Sequence, residues 1–148
     1  MTTKIQPVRS EVVVSKPPDR AFRRFTAEIG TWWPAHTHSV SGEACRDVVM
    51  EGRVGGRLFE IDGEGREEPW GEVTVWEPPS RVAFTWHPGR SPTTAQRVDV
   101  SFEPEEGGTR VVLVHSGWEA LGEGATDMRD QYVPGWENVL DHFRRGSG

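Results

Sequence analysis

The sequence has little cysteine and no long hydrophobic run. Cys45 is the only cysteine among 148 residues, so neither an internal disulfide nor a two-thiol metal or redox motif can form. The apolar runs fall far short of the roughly 20 residues that span a bilayer, and the start Met1-Thr2-Thr3-Lys4-Ile5 lacks the apolar core of a signal peptide. We therefore expect a cytoplasmic protein with no membrane span.

Positive charge is also scarce. Lysine and arginine number 17 against 23 acidic residues, which gives a net charge of −6. This net negative charge would repel the phosphate backbone of a nucleic acid, and no basic stripe is interleaved with aromatic residues. We therefore do not expect nucleic acid as a partner. The length fits one domain over residues 1–148.

Tryptophan, glycine and proline are abundant by contrast. Seven tryptophans occur together with 17 glycines and 11 prolines. Rings of this size need a core, which argues against a disordered chain. The glycines and prolines separate short segments, which is typical of a multi-stranded sheet.

The order of segments predicts an α+β protein. A β-branched strand over 11–15 ends at Pro17-Pro18, a helix with Ala21, Phe22 and Phe25 on one face follows, and the part after Gly30 is interpreted as a short second helix or turn. From Val48 onward the pattern alternates as in antiparallel strands. The predicted strands are 57–62, 70–77, 81–87, 96–103 and 110–116.

The last segment has helical spacing. Met128, Tyr132, Trp136, Leu140 and Phe143 share one predicted face, and a kink or restart is expected at Pro134, with the longest regular part over 135–145. This helix is the only element long enough to cover the sheet. Such packing often leaves a cavity between the two.

Several motifs in this order resemble the START-like, or Bet v 1-like, helix-grip proteins of the SRPBCC superfamily, and within them the branch of the activator of Hsp90 ATPase homologue. The resemblance implies a curved antiparallel sheet of about seven strands wrapped around a long C-terminal helix, with two short helices after the first strand. The motifs are Val12 to Phe25, Gly55-Gly56-Arg57-Leu58-Phe59, Gly71-Glu72-Val73, Trp76-Glu77-Pro78-Pro79-Ser80-Arg81-Val82, Gly108-Thr109-Arg110-Val111, His115-Ser116-Gly117 and Gly135-Trp136 with Val139-Leu140.

The resemblance alone does not specify chemistry, because members of this fold bind lipids, hormones, polyketides or proteins, and a few are enzymes. The leading hypothesis is a cavity that binds a small hydrophobic or aromatic molecule without catalysis, cofactor or metal. His115 and the Tyr132 hydroxyl would orient polar atoms of the ligand. The predicted lining residues are Trp86, His115, Trp118, Met128, Tyr132 and Trp136, with Trp32, Trp33 and His36 at the rim.

Two other functions stay open. A protein-interaction module would use Trp70 and Trp76, which alternation places opposite Val73 and Val75 and so partly in solvent; a homodimer is also left open. A polyketide-cyclase-like enzyme would need an inward acid-base pair. His115 is the only candidate member of such a pair, because no inward carboxylate is identified.

Two further chemistries were weighed and set aside. His36 and His38 would share one side of an extended segment, but a zinc site needs a third ligand that the sequence does not identify, so loop histidines at a cavity mouth are favoured. Cys45 lacks a positioned histidine and is predicted to be a plain half-buried thiol.

Overall fold

A computed structural model describes residues 5–147. One curled, fully antiparallel sheet has the strand order β1-β7-β6-β5-β4-β3-β2, and the C-terminal helix packs against it. The predicted α+β helix-grip fold with seven strands is confirmed. The strands are β1 Val8–Val14, β2 Cys45–Met50, β3 Arg57–Asp62, β4 Glu67–Glu77, β5 Arg81–Trp86, β6 Gln96–Glu105 and β7 Gly108–Ser116, and the helices are α1 Pro18–Phe25 and α2 Ala125–Ser147.

Helix α1 begins where its sequence predicts. Pro18 occupies the first helical turn, where a missing N–H is harmless, and Asp19 adds a favourable negative charge there. Phe22 and Phe25 form its buried face. A single turn of 3₁₀-helix at Ile29–Thr31 follows, which is the second short helix expected after the first strand.

Strand β4 contains two irregularities that change which side chains face inward. Between Leu58 and Phe59 of β3 the register shifts so that Trp70 is an extra residue, and against β5 the register shifts again at Thr74. Each extra residue reverses the inside-outside alternation. Trp70 is therefore 1% exposed, and the prediction that it faces solvent is wrong. Trp76 is partly exposed as predicted.

Helix α2 is continuous through Pro134, so of the predicted kink or restart the restart is wrong, and the regular part is longer than the predicted 135–145. Proline removes only one backbone hydrogen bond, and packing of the buried face outweighs this loss. That face consists of Trp136, Val139, Leu140 and Phe143.

Aromatic rings pack together where α1 approaches the C-terminal half of α2. Phe143 contacts Phe25 and Trp32 with ring centroids 5.5 and 5.0 Å apart. Toward the N-terminal half of α2, around Tyr132, a cavity lies between the helix and the sheet. No helix within residues 5–147 is long and apolar enough to cross a membrane.

Candidate functional site

A cavity of about 470 Å³ lies between the sheet, α2 and the segment that follows the 3₁₀ turn. The segment 37–40 and the β5–β6 connection at Pro88 and Gly89 contribute to its lining. The lining residues are Trp33, Thr37, His38, Ser39, Val40, Trp70, Trp86, Pro88, Gly89, Met128, Gln131, Tyr132, Gly135, Trp136 and Val139.

Four tryptophans form the apolar wall of this cavity. Trp86 is central, with its ring centroid 6.1 Å from that of Trp33, 5.5 Å from that of Trp70 and 5.1 Å from that of Trp136. These tilted and edge-on arrangements are the ones that aromatic quadrupoles favour. The rings therefore hold one another in place and form a rigid wall.

The indole N–H groups of these four tryptophans all donate within the protein. The ligand would consequently meet the carbon faces and edges of the rings, since the nitrogen atoms are already paired. The pairs are Trp33 with the His38 carbonyl at 2.8 Å, Trp70 with Glu60 Oε1 at 2.6 Å, Trp86 with the Tyr132 hydroxyl at 3.0 Å and Trp136 with His115 Nδ1 at 2.9 Å.

Tyr132 supplies a polar group inside the cavity. Its hydroxyl oxygen accepts the Trp86 N–H, and its own proton has no acceptor among the residues that the structure describes. Burial raises the pKa of Tyr132 above its ordinary value of 10.0, so the hydroxyl stays protonated near neutral pH. It can donate a hydrogen bond to a ligand oxygen.

His115 is fully buried and lies behind Trp136 instead of lining the cavity. Since Nδ1 accepts from Trp136, Nε2 must carry the proton, and it donates to Gln96 Oε1 at 3.2 Å. Burial lowers the pKa of His115 to about 3. The inward orientation predicted from β7 is confirmed, and the neutral ring has both nitrogens paired and contacts Trp136 from outside the cavity lining.

A buried carboxylate went unrecognised in the sequence. Glu60 of β3 is 0% exposed and accepts hydrogen bonds from Trp70 Nε1 at 2.6 Å, the Val40 N–H at 2.7 Å, the Ser41 N–H at 2.9 Å and the Ser41 hydroxyl. Burial alone opposes ionisation, but these hydrogen bonds together hold the pKa of Glu60 below its usual value. Leu58, Phe59 and Glu60 are buried in succession, so strand alternation alone does not locate it.

Five of the nine predicted lining or rim residues meet at the cavity, and the other four do not line it. Trp32 packs between Phe25 and Phe143, Trp118 stacks on His115 with ring centroids 3.9 Å apart, and His36 is exposed. The five that line it are Trp33, Trp86, Met128, Tyr132 and Trp136.

His38 lines the cavity, whereas the sequence had predicted His36 at the rim. The backbone N–H of Thr37 and that of His38 both donate to the Pro34 carbonyl, so this segment turns and is not extended. Burial, with a smaller contribution from the charge of His142, lowers the pKa of His38. Within residues 5–147 no three histidine, cysteine or acidic side chains are grouped closely enough to hold a metal ion.

Residues 15–145 match the family model described as "Activator of Hsp90 ATPase homolog 1-like protein". No curated protein matches the chain.

Among solved structures, the anthrahydroquino-gamma-pyrone synthase Txn09, complexed with SUM, is 31% identical, and the alignment covers 98% of this chain and 99% of Txn09 with a TM-score of 0.62. Protein BH1534 from Bacillus halodurans is 21% identical over 99% of this chain and 100% of its own, with a TM-score of 0.71. The Aha1 dimer from Colwellia psychrerythraea is 18% identical over 97% and 100% of the two chains, with a TM-score of 0.64. The last two likenesses concern the fold alone.

Proposed function

The chain belongs to the family of activator of Hsp90 ATPase homolog 1-like proteins, and from this premise we propose that it binds a small, flat aromatic molecule in the cavity between the sheet and α2. The observation that carries this proposal is the four-tryptophan wall whose indole N–H groups are already paired. Such a wall favours the faces of an aromatic ligand and offers few polar contacts.

The size of the cavity fits this class of ligand. A volume of about 470 Å³ lies within the range of about 300 to 1,000 Å³ typical of small-molecule sites. Each 100 Å² of apolar ligand surface removed from water favours binding by about 2.5 kcal/mol. Tyr132 adds a hydroxyl proton beside the tryptophan wall, so an aromatic molecule that carries a carbonyl oxygen uses the site best.

Tryptophan fluorescence tests the proposal. The full chain is titrated with anthraquinone-2-sulfonate, flavone and 1-naphthol, and we expect saturable quenching with at least the two carbonyl compounds, because Trp86 and Trp136 line the cavity. A linear, unsaturable response to all three compounds would contradict the proposed function.

A second candidate function is cyclisation of an aromatic polyketide-type substrate. The 31% identity over nearly the whole length of a pyrone synthase favours it. Tyr132 would donate to the substrate carbonyl as negative charge develops on its oxygen, and the tryptophan wall would hold the chain in a folded conformation. His115 takes no part as acid or base because both of its nitrogens are occupied and it does not line the cavity.

This activity has a simple assay. In 1-(2-hydroxyphenyl)-1,3-butanedione the phenol oxygen adds to the distal carbonyl carbon and water then leaves, which gives 2-methylchromone with no oxidant or reductant required. The second candidate predicts faster chromone formation with the protein than without it, and slower formation with Tyr132→Phe. Equal rates with and without protein would contradict cyclisation while leaving ligand binding in place.

A further inference from the structure

A second apolar pocket, of about 410 Å³, shares no residue with the first. It lies where α1 meets the turn between β4 and β5 and the end of β2. Its apolar surface comes from Phe22, Met50, Trp76, Pro78 and Pro79. We refer to it as the Trp76 groove.

Trp76 differs from every other tryptophan in the chain. The other six indole nitrogens each donate to an acceptor within the protein. The Trp76 nitrogen has no acceptor among residues 5–147, and its side chain is partly exposed. The ring is held by edge-on contact with Phe22 at 5.0 Å and by Gly52, where a Cβ would lie 2.9 Å from the ring. It is thus a positioned aromatic side chain with a free donor.

A positively charged cleft adjoins the groove. The two share Asp19 and Arg23, and the cleft adds Lys16, Arg20 and Arg24 against a single further acidic residue, Glu28. Arg23 pairs with Glu28 at 3.4 Å. Lys16 and Arg20 make no ion pair within the described residues. The cleft is thus locally positive on a protein whose net charge is −6.

We propose that the Trp76 groove and this cleft together form a docking site for an acidic segment of a partner protein. An apolar side chain of that segment occupies the groove, a backbone carbonyl accepts the Trp76 N–H, and aspartate or glutamate side chains lie against Lys16 and Arg20. Tryptophan and arginine are the residue types that most often dominate binding energy at protein interfaces. The occupant must contact both parts, because the apolar groove and the charged cleft are neighbours on the surface.

The probe is a phage-displayed library of random twelve-residue peptides, selected on the full chain at low salt. We expect enrichment of peptides that combine several acidic residues with an aromatic or large aliphatic residue. Their affinity falls as salt screens the charges.

Three variants of the chain test the location. Arg20→Glu reverses an exposed charge and is expected to weaken the selected peptides at least tenfold, and Trp76→Ala at least as much. Gly135→Leu, which lies at the first cavity, leaves their affinity unchanged. Arg20→Glu keeps the test valid if Trp76→Ala destabilises the fold, because Arg20 is exposed.

Several outcomes would overturn the proposal. They are no enriched peptide, enrichment without acidic residues, or peptides whose affinity survives both Arg20→Glu and Trp76→Ala. Sedimentation of the unliganded chain adds one more: self-association that Trp76→Ala abolishes would assign the groove to a second copy of this chain instead.

Discussion

The Trp86 indole N–H donates to the Tyr132 hydroxyl at 3.0 Å, which joins β5 to α2 across the wall of the cavity. This bond connects the helix to the sheet at the site and leaves the tyrosine proton available to a ligand. Sheet, helix and binding chemistry therefore meet at one pair of side chains.

Replacing Tyr132 with phenylalanine should separate the polar contact from the apolar one. We expect Tyr132→Phe to bind flavone about fivefold more weakly, in line with loss of one hydrogen bond of about 1 kcal/mol, and to bind naphthalene as the wild type does. Fluorescence titration measures both. An equal loss of affinity for the two ligands would mean that the hydroxyl is not the group that contacts the carbonyl.

Glu60 should contribute strongly to stability because four donors converge on its carboxylate. In Glu60→Gln an amide N–H₂ must face at least one of those donors, and we expect a loss of about 2 to 4 kcal/mol in the free energy of unfolding. Exposed Glu68 lies opposite it on β4 and provides a matched control, Glu68→Gln, with a change below about 0.5 kcal/mol. Urea unfolding that gives similar values for both variants would contradict this role of Glu60.

His115 should make the fold sensitive to acid. Its pKa is lowered from 6.5 to about 3, so between these values the unfolded chain holds a proton at this ring and the folded chain does not. Unfolding then takes up a proton, and stability falls as the pH drops below about 6.5, by at most about 1.4 kcal/mol per pH unit. His115→Asn removes this contribution.

The measurement is urea unfolding of wild type and His115→Asn at about pH 7 and about pH 5. The difference in free energy of unfolding between the two proteins should shrink at the lower pH. Taking this difference cancels the contributions of other titratable groups. If the variant is too unstable, NMR titration of the His115 ring in the wild type gives the same information. A midpoint near 6.5 would contradict the account.

Gly135 should keep the cavity open. It lies in the middle of α2, where glycine costs about 1 kcal/mol relative to alanine, yet a Cβ there would meet no atom within 4 Å. Gly135→Leu is expected to fill the space, reduce ligand affinity at least tenfold and leave the melting temperature unchanged or higher. Asn138→Leu, exposed on the same helix, is the control and should bind normally. Unchanged affinity of Gly135→Leu would place the ligand elsewhere.

The order of strands and helices was predictable because most strands alternate regularly, and the family resemblance implied the helix-grip arrangement. Val98, Val100 and Phe102 are all buried on one face of β6, as their spacing indicates. Alternation fails in β4 because Trp70 is inserted at a register shift, and nothing in the local sequence reports how a neighbouring strand pairs. The effect of Pro134 on α2 was overestimated. Tertiary packing of the helix face compensates for the lost hydrogen bond, and the local sequence does not report that packing.

The site was predictable only in part. Trp86, Tyr132 and Trp136 were located because strand and helix periodicity aims them at the same space. Glu60 was missed because its partners Val40 and Ser41 are about 20 residues away and come to it only through the fold. Trp118 was predicted at the cavity because it lies at the end of a segment, but the fold stacks its ring on His115 instead.

The central claim is that the four-tryptophan cavity binds an aromatic ligand. Its most direct test is an NMR titration of the tryptophan indole N–H signals with anthraquinone-2-sulfonate. We predict saturable shifts for Trp33, Trp70, Trp86 and Trp136, with no shift for Trp76, and loss of these shifts in Gly135→Leu. Unchanged signals for all four, or shifts that survive in Gly135→Leu, would contradict it.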